Sequence, residues 1–208
     1  MKKFLLSAIG AFFVQKSAAS VVFFETSTGA YDSVTCCGTN IGSGQFIGTL
    51  FSLASSTEID NIGGHFTTFP GMGGDLFGAI VSIGSSGLPS GNLTSLNNVV
   101  VSTTFVPNSG VDTLVPLAFT LPAGDYALVF GSGLFGSTGD STLTLIQPFQ
   151  ELSTNGQLVG LNASSFPTWS ATGSVVRKRL FLTSPIPEPS RAIFVLLGLM
   201  FVSCQRRR

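Results

Sequence analysis

Between residues 20 and 184, glycine or proline interrupts nearly every ten-residue window. A helix interior loses about 1 kcal/mol at each glycine and about 3 kcal/mol at each proline relative to alanine. Strands separated by turns tolerate both residues, because the turns use them. Strand-like runs recur at Val21–Glu25, Phe46–Leu53, Glu58–Phe69, Asp75–Ile83, Asn98–Val106, Thr113–Leu121, Asp125–Gly131, Ser141–Phe149, Leu158–Asn162 and Val175–Thr183. Turn clusters such as Gly71-Met72-Gly73-Gly74, Pro107-Asn108-Ser109-Gly110 and Pro122-Ala123-Gly124 lie between them. The period is two: Leu117, Phe119 and Leu121 share one face, as do Tyr126, Leu128 and Phe130. Short strands at this spacing predict an antiparallel sandwich or barrel. Fourteen of the 19 phenylalanines fall in this stretch and are its natural core filling. About 165 residues suffice for one domain with a sizeable core.

Charge sets the two ends apart from this body. The chain has ten basic and ten acidic side chains. Residues 1–19 hold Lys2, Lys3 and Lys16 with no acid, and residues 185–208 hold four arginines against Glu188. Residues 20–184 hold three bases, Arg177, Lys178 and Arg179, against nine acids, a net charge of −6. A body with so little positive charge is not built for nucleic acid. At 44% hydrophobic residues the whole chain is too apolar to be disordered.

Residues 1–19 read as a secretory signal peptide. Met1-Lys2-Lys3 precedes eleven mostly apolar residues, Phe4–Val14, too few for the about 20 that span a bilayer. Ser17, Ala18 and Ala19 offer a signal peptidase a cut before Ser20, with Lys16 close enough to move it by a residue or two.

Residues 185–208 read as a sorting tail. Three prolines in five residues, Pro185 to Pro189, set an extended linker. An apolar run from Ala192 to Val202 follows, then Arg206-Arg207-Arg208. Eleven residues make a helix of about 16 Å against a hydrocarbon core of about 30 Å, a short transmembrane helix that needs local thinning or arginine snorkelling. The arginines are expected on the cytoplasmic side. Pro187-Glu188-Pro189-Ser190, the apolar helix and the arginine cluster together closely resemble the PEP-CTERM sorting signal of Gram-negative bacteria. The resemblance implies that Pro187, Glu188 and Pro189 are recognised by an exosortase, that the helix is a temporary anchor, and that Arg206, Arg207 and Arg208 are the stop. Arg191 at the mouth of the helix and Cys204-Gln205 before the arginines depart from the pattern. An ordinary anchor that is never cut is the competing reading.

Within the body, the stretch from Gly74 to Gly139 resembles the β-sandwich modules known as choice-of-anchor domains. Phe77–Ile83, Gly87-Leu88-Pro89-Ser90-Gly91, Pro116–Phe119 and Leu121–Gly133 carry the likeness. It implies a jelly-roll-like sandwich and no particular reaction. The expected fold is therefore all-β, an antiparallel β-sandwich over 20–184, flanked by an N-terminal signal helix and a C-terminal transmembrane helix.

Catalytic patterns are sparse. His65 is the only histidine, so a serine triad would have to be built around it, and neither Gly-x-Ser-x-Gly nor His-Glu-x-x-His occurs. Glu58 and Asp60, two apart in a strand, share a face suited to a weak cation or to solvent. The loop Gly136-Ser137-Thr138-Gly139-Asp140 lacks the acid-rich spacing of a strong calcium site. No cofactor or metal is expected. Sugar binding needs exposed flat aromatics; Trp169, in a loop-like stretch, is the first candidate, with Tyr31 and Tyr126, and core packing is its competing role. Cys36 and Cys37 are adjacent, so a vicinal disulfide competes with free thiols and with pairing to another chain. The expectation is an exported, non-enzymatic protein of the cell envelope or extracellular matrix, structural or adhesive, with extracellular polysaccharide as a partner. It crosses the inner membrane, is held briefly by its C-terminal helix and is then sorted to the surface. The alternative is a secreted carbohydrate-binding module or weak glycan hydrolase.

Overall fold

Alternation of apolar and polar residues, broken by glycine turns, becomes fourteen strands in the computed structural model. The structure describes residues 19–27, 38–145, 156–163, 166–171 and 178–186. The signal helix, the transmembrane helix, the motif Pro187, Glu188, Pro189 with Arg206, Arg207 and Arg208, and the pair Cys36, Cys37 lie outside the described residues. The strands are β1 Ser20–Glu25, β2 Gly38–Ile41, β3 Gln45–Leu53, β4 Thr57–Thr67, β5 Leu76–Ser82, β6 Gly91–Asn92 and β7 Ser95–Leu96. They continue with β8 Val99–Phe105, β9 Val111–Leu121, β10 Gly124–Gly131, β11 Ser141–Thr144, β12 Leu158–Asn162, β13 Phe166–Ala171 and β14 Leu180–Pro185. Among the described residues there is no helix, and Ser20–Pro185 forms one compact unit.

Two six-stranded antiparallel sheets make up this unit. The first runs β1-β14-β4, with β9 on the far edge of β4 and β11, then β2, continuing from the end of β4. The second runs β13-β12-β3-β10-β5-β8. The principal pairings are nested: β1 with β14, β3 with β10, β4 with β9, and β5 with β8, all antiparallel. Strand β2 and the segment β11–β13 are insertions into that scheme, and β6–β7 is a small ribbon between β5 and β8.

The core lies between the sheets. Ile47, Phe51, Ile59, Ile62, Phe66, Ile80, Val115, Leu117, Tyr126, Leu128, Phe130, Leu180 and Leu182 meet there. The rings of Phe66, Phe105 and Phe130 pack with centroids 5.3–5.6 Å apart, two of the three contacts edge-to-face. Each such side chain contributes about 1.5–3 kcal/mol by leaving water. Tyr126 stacks on Phe51 and its hydroxyl donates to the Pro122 carbonyl at 3.0 Å. Phe119 does not join Leu117 and Leu121 in full burial: it is 37% exposed.

A second apolar layer covers the other face of the second sheet. Phe46, Phe77, Ala79, Val81, Ala127, Val129, Val159 and Leu161 are buried there beneath Ile83, Leu88, Leu93, Leu96 and Leu134 from the crossing loops. Antiparallel sheets commonly leave one face to solvent. Here both faces are covered, which is why β5 and β10 are buried almost without interruption.

Candidate functional site

The residues just before strand β14 include a side chain that their apolar neighbours do not lead one to expect inside. Leu180 and Leu182 face the inter-sheet core. Lys178, two residues before Leu180, keeps that parity and is only 9% exposed. Its main chain is fixed: the Thr26 hydroxyl donates to the Lys178 carbonyl, and the Ser27 hydroxyl reaches the same oxygen at 3.3 Å. The Leu180 amide donates back to Thr26 Oγ1 at 2.9 Å, and Lys178 bridges Leu145.

Lys178 lines a cleft of about 210 Å³, with Thr39, Gln45, Ile47, Leu158 and Asn162 among the other walls. Thr39 belongs to the first sheet and the rest of these to the second, so the cleft opens between the sheets. An adjoining hollow of about 290 Å³ shares Gln45 and Asn162 and adds Asn40, Gly42, Gly44 and Ala163. The Thr142 hydroxyl donates to Asn40 Oδ1 at 2.9 Å, which turns the amide NH2 of Asn40 into the end left for other contacts. Burial pushes the Lys178 ammonium below its ordinary pKa of 10.5. Among the described residues no carboxylate pairs with it. Lys178, Gln45 and Asn162 thus line one cleft, and Asn40 joins Gln45 and Asn162 around the adjoining hollow, so few polar residues border a largely apolar space, as in sites that orient a polar ligand.

His65 lies elsewhere, on the outer face of the first sheet. It is 3% exposed and faces Asp112 across the β4–β9 ladder, Nδ1 to Oδ1 3.0 Å. Arg179 Nε stands 3.4 Å from the other Asp112 oxygen, and Arg179 Nη2 3.3 Å from Glu25 Oε2. The Arg179 guanidinium also covers the Phe181 ring at 5.1 Å. That ring rests on Gly63, where a Cβ would come within 2.3 Å of it. The row Glu25–Arg179–Asp112–His65 ties β1, the residue just before β14, β9 and β4 together. Its imidazole is committed to structure.

The other sequence candidates are similarly absorbed. Glu58 and Asp60 share the outward face, as alternation requires, but their roles separate. Asp60 accepts hydrogen bonds from the Ser20 and Thr183 hydroxyls, joining β1 and β14 to β4. Burial is the largest single influence on Asp60 and raises its pKa. Hydrogen bonds from Ser20, Thr183 and the Asn61 side chain and amide together outweigh it and hold the carboxyl below 3.8. Asp140 accepts the Gly73 amide at 2.8 Å and clamps two loops. Among the described residues no three of His, Cys, Asp and Glu gather to hold a metal.

Trp169 is a correction. The loop-like stretch around it is strand β13, and the indole packs against Phe46, centroids 6.4 Å apart, at 8% exposure. It fills the second apolar layer, so its face is not open to stack on a sugar. Tyr126 is buried too, and Tyr31 lies outside the described residues. The sequence reading missed the cleft. One signal was present: in a strand running to Thr183, Lys178 alternates in step with Leu180 and Leu182. Thr39, Asn40, Gln45 and Asn162 carried none, because only the sheet pairing brings them together. No protein-family model matches the chain, and no curated protein matches it.

Proposed function

We propose that this chain is an exported, non-enzymatic protein of the bacterial cell envelope or matrix, a jelly-roll sandwich with a leader at one end and a PEP-CTERM-type sorting tail at the other. The nested pairing supports the jelly-roll reading, since that topology arises when one long antiparallel ribbon rolls up on itself. The observation that carries the sorting reading is the register of Ser20 opposite Pro185. The residue after the expected signal-peptidase cut and the residue two before the sorting motif occupy one rung of one ladder, so processing at both places would cut into no strand. Intact mass spectrometry of the protein from its native host tests this. The expected mass lacks residues 1–19 and everything beyond the Pro187–Pro189 motif; a mature form that keeps Arg206–Arg208 overturns exosortase cutting.

A second reading, a carbohydrate-binding module, is favoured by the amide-lined cleft rather than by Trp169. A glycan-array screen of the purified protein tests it, and absence of binding to any glycan overturns it.

A further inference from the structure

We propose that the cleft beside Lys178 binds a uronate residue of an acidic polysaccharide, the Lys178 ammonium pairing with the sugar carboxylate while Gln45 and Thr39 of the same cleft meet its hydroxyls and Asn40 of the adjoining hollow meets the next sugar unit. The proposal rests on the carbohydrate-binding reading and is independent of sorting.

Three observations lead to it. First, Lys178 is nine-tenths buried, lines the cleft and has no carboxylate partner among the described residues. A buried cation without a counter-charge is costly to the fold, and burial accordingly depresses its pKa. A ligand carboxylate supplies the missing charge, in a water-poor site where charge-assisted hydrogen bonds are strong. Second, the remaining polar walls are amides and a threonine hydroxyl, Asn40, Gln45, Asn162 and Thr39. Amides offer a donor and an acceptor side by side and match vicinal sugar hydroxyls. Third, the hollow does not end at the lysine. The adjoining space around Asn40 and Ala163 leaves room for the next sugar unit, which a lone small acid would not use. The net charge of −6 on residues 20–184 sharpens the case. It works against unspecific adhesion of a polyanion, so binding of one reports the local site.

The test is calorimetric titration of the full-length chain with tetragalacturonate, a neutral galactose tetramer and monomeric galacturonate. Tetragalacturonate is expected to bind at least about tenfold more tightly than the neutral tetramer, with Lys178→Gln losing about that factor and Lys178→Arg retaining most of the affinity. Equal binding of the neutral tetramer, or no effect of Lys178→Gln, removes this assignment and leaves the sugar-binding reading standing. Binding to neither tetramer removes this assignment as well, and the glycan array then decides the sugar-binding reading by itself. Monomeric galacturonate binding as tightly as its tetramer overturns the polysaccharide assignment in favour of a free acid. Should Lys178→Gln fail to fold, the unaltered protein still decides. Lys178 is the only lysine between residues 20 and 184, so its acetylation by an amine reagent can be followed on one peptide. Tetragalacturonate is expected to slow that acetylation severalfold, and unchanged reactivity overturns the proposal.

Discussion

His65 stands directly opposite Asp112 on neighbouring strands, and Asp112 in turn faces Arg179, so one carboxylate holds two cationic or protonatable partners on the outside of the first sheet. Asp112→Asn keeps the shape and removes the charge. It should destabilise the protein by about 1–3 kcal/mol, because the amide keeps one acceptor oxygen but turns the other into a donor, so either the buried imidazole or the partly buried guanidinium faces an NH2 and both lose the charge. Urea unfolding checks this: the midpoint should fall while the slope stays constant.

Asp60 makes stability depend on acidity. Its folded pKa lies below the ordinary 3.8, so the carboxylate contributes stability that is present above about pH 4 and lost as pH falls through the folded value. The group is half-buried and its partners are hydroxyls rather than charges, so Asp60→Asn should cost no more than about 1 kcal/mol near neutrality. The gap between the two proteins should close toward about pH 2 in thermal melts taken across the acid range.

Lys178 works in the opposite direction. A buried ammonium without a partner opposes folding, so Lys178→Met, close in volume, should raise stability by about 1 kcal/mol near neutral pH. The unfolded lysine binds its proton more tightly than the folded one. The unaltered protein therefore gains on the variant as pH rises from the depressed folded value, and the difference vanishes above 10.5. Paired melts at neutral and alkaline pH measure it. A variant that is less stable at every pH contradicts the account of an unpaired charge.

Trp169 is the only tryptophan and gives a direct optical readout. Its emission should be blue-shifted in the folded protein and move to the red on unfolding. Trp169→Ala should cost about 3–5 kcal/mol, the expense of emptying a large aromatic site in a packed layer. Native emission already at the red end would contradict the packing against Phe46.

Alternation and turn chemistry make most of the strand set legible in the sequence. β3, β5, β9 and β10 are read directly, because glycine clusters mark their ends and large apolar residues recur at every second position. β2 is hidden because Gly38-Thr39-Asn40-Ile41 offers one apolar residue. β13 is hidden because Pro167 reads as a breaker, yet β13 is an edge strand pairing only with β12, where a proline is tolerated. The misplaced Trp169 follows from that one misreading. Register is harder. His65 and Asp112 are 47 residues apart, and nothing local sets them on the same rung. The double burial of β10 is legible as an apolar run, but the loops that roof it are polar in part and give no sign of doing so.

The flanking positions of β14 bear on how this domain carries load. A body held by its C-terminal segment receives any pull along β14, and β14 has β1 on one side and β4 on the other. Tension on that strand cannot unzip hydrogen bonds one after another as it would from a sheet edge. It must slide two ladders at once, with the Asp60 clasp across all three strands resisting the first movement. A pull on the C-terminal end of the domain thus meets a strand that is held on both sides.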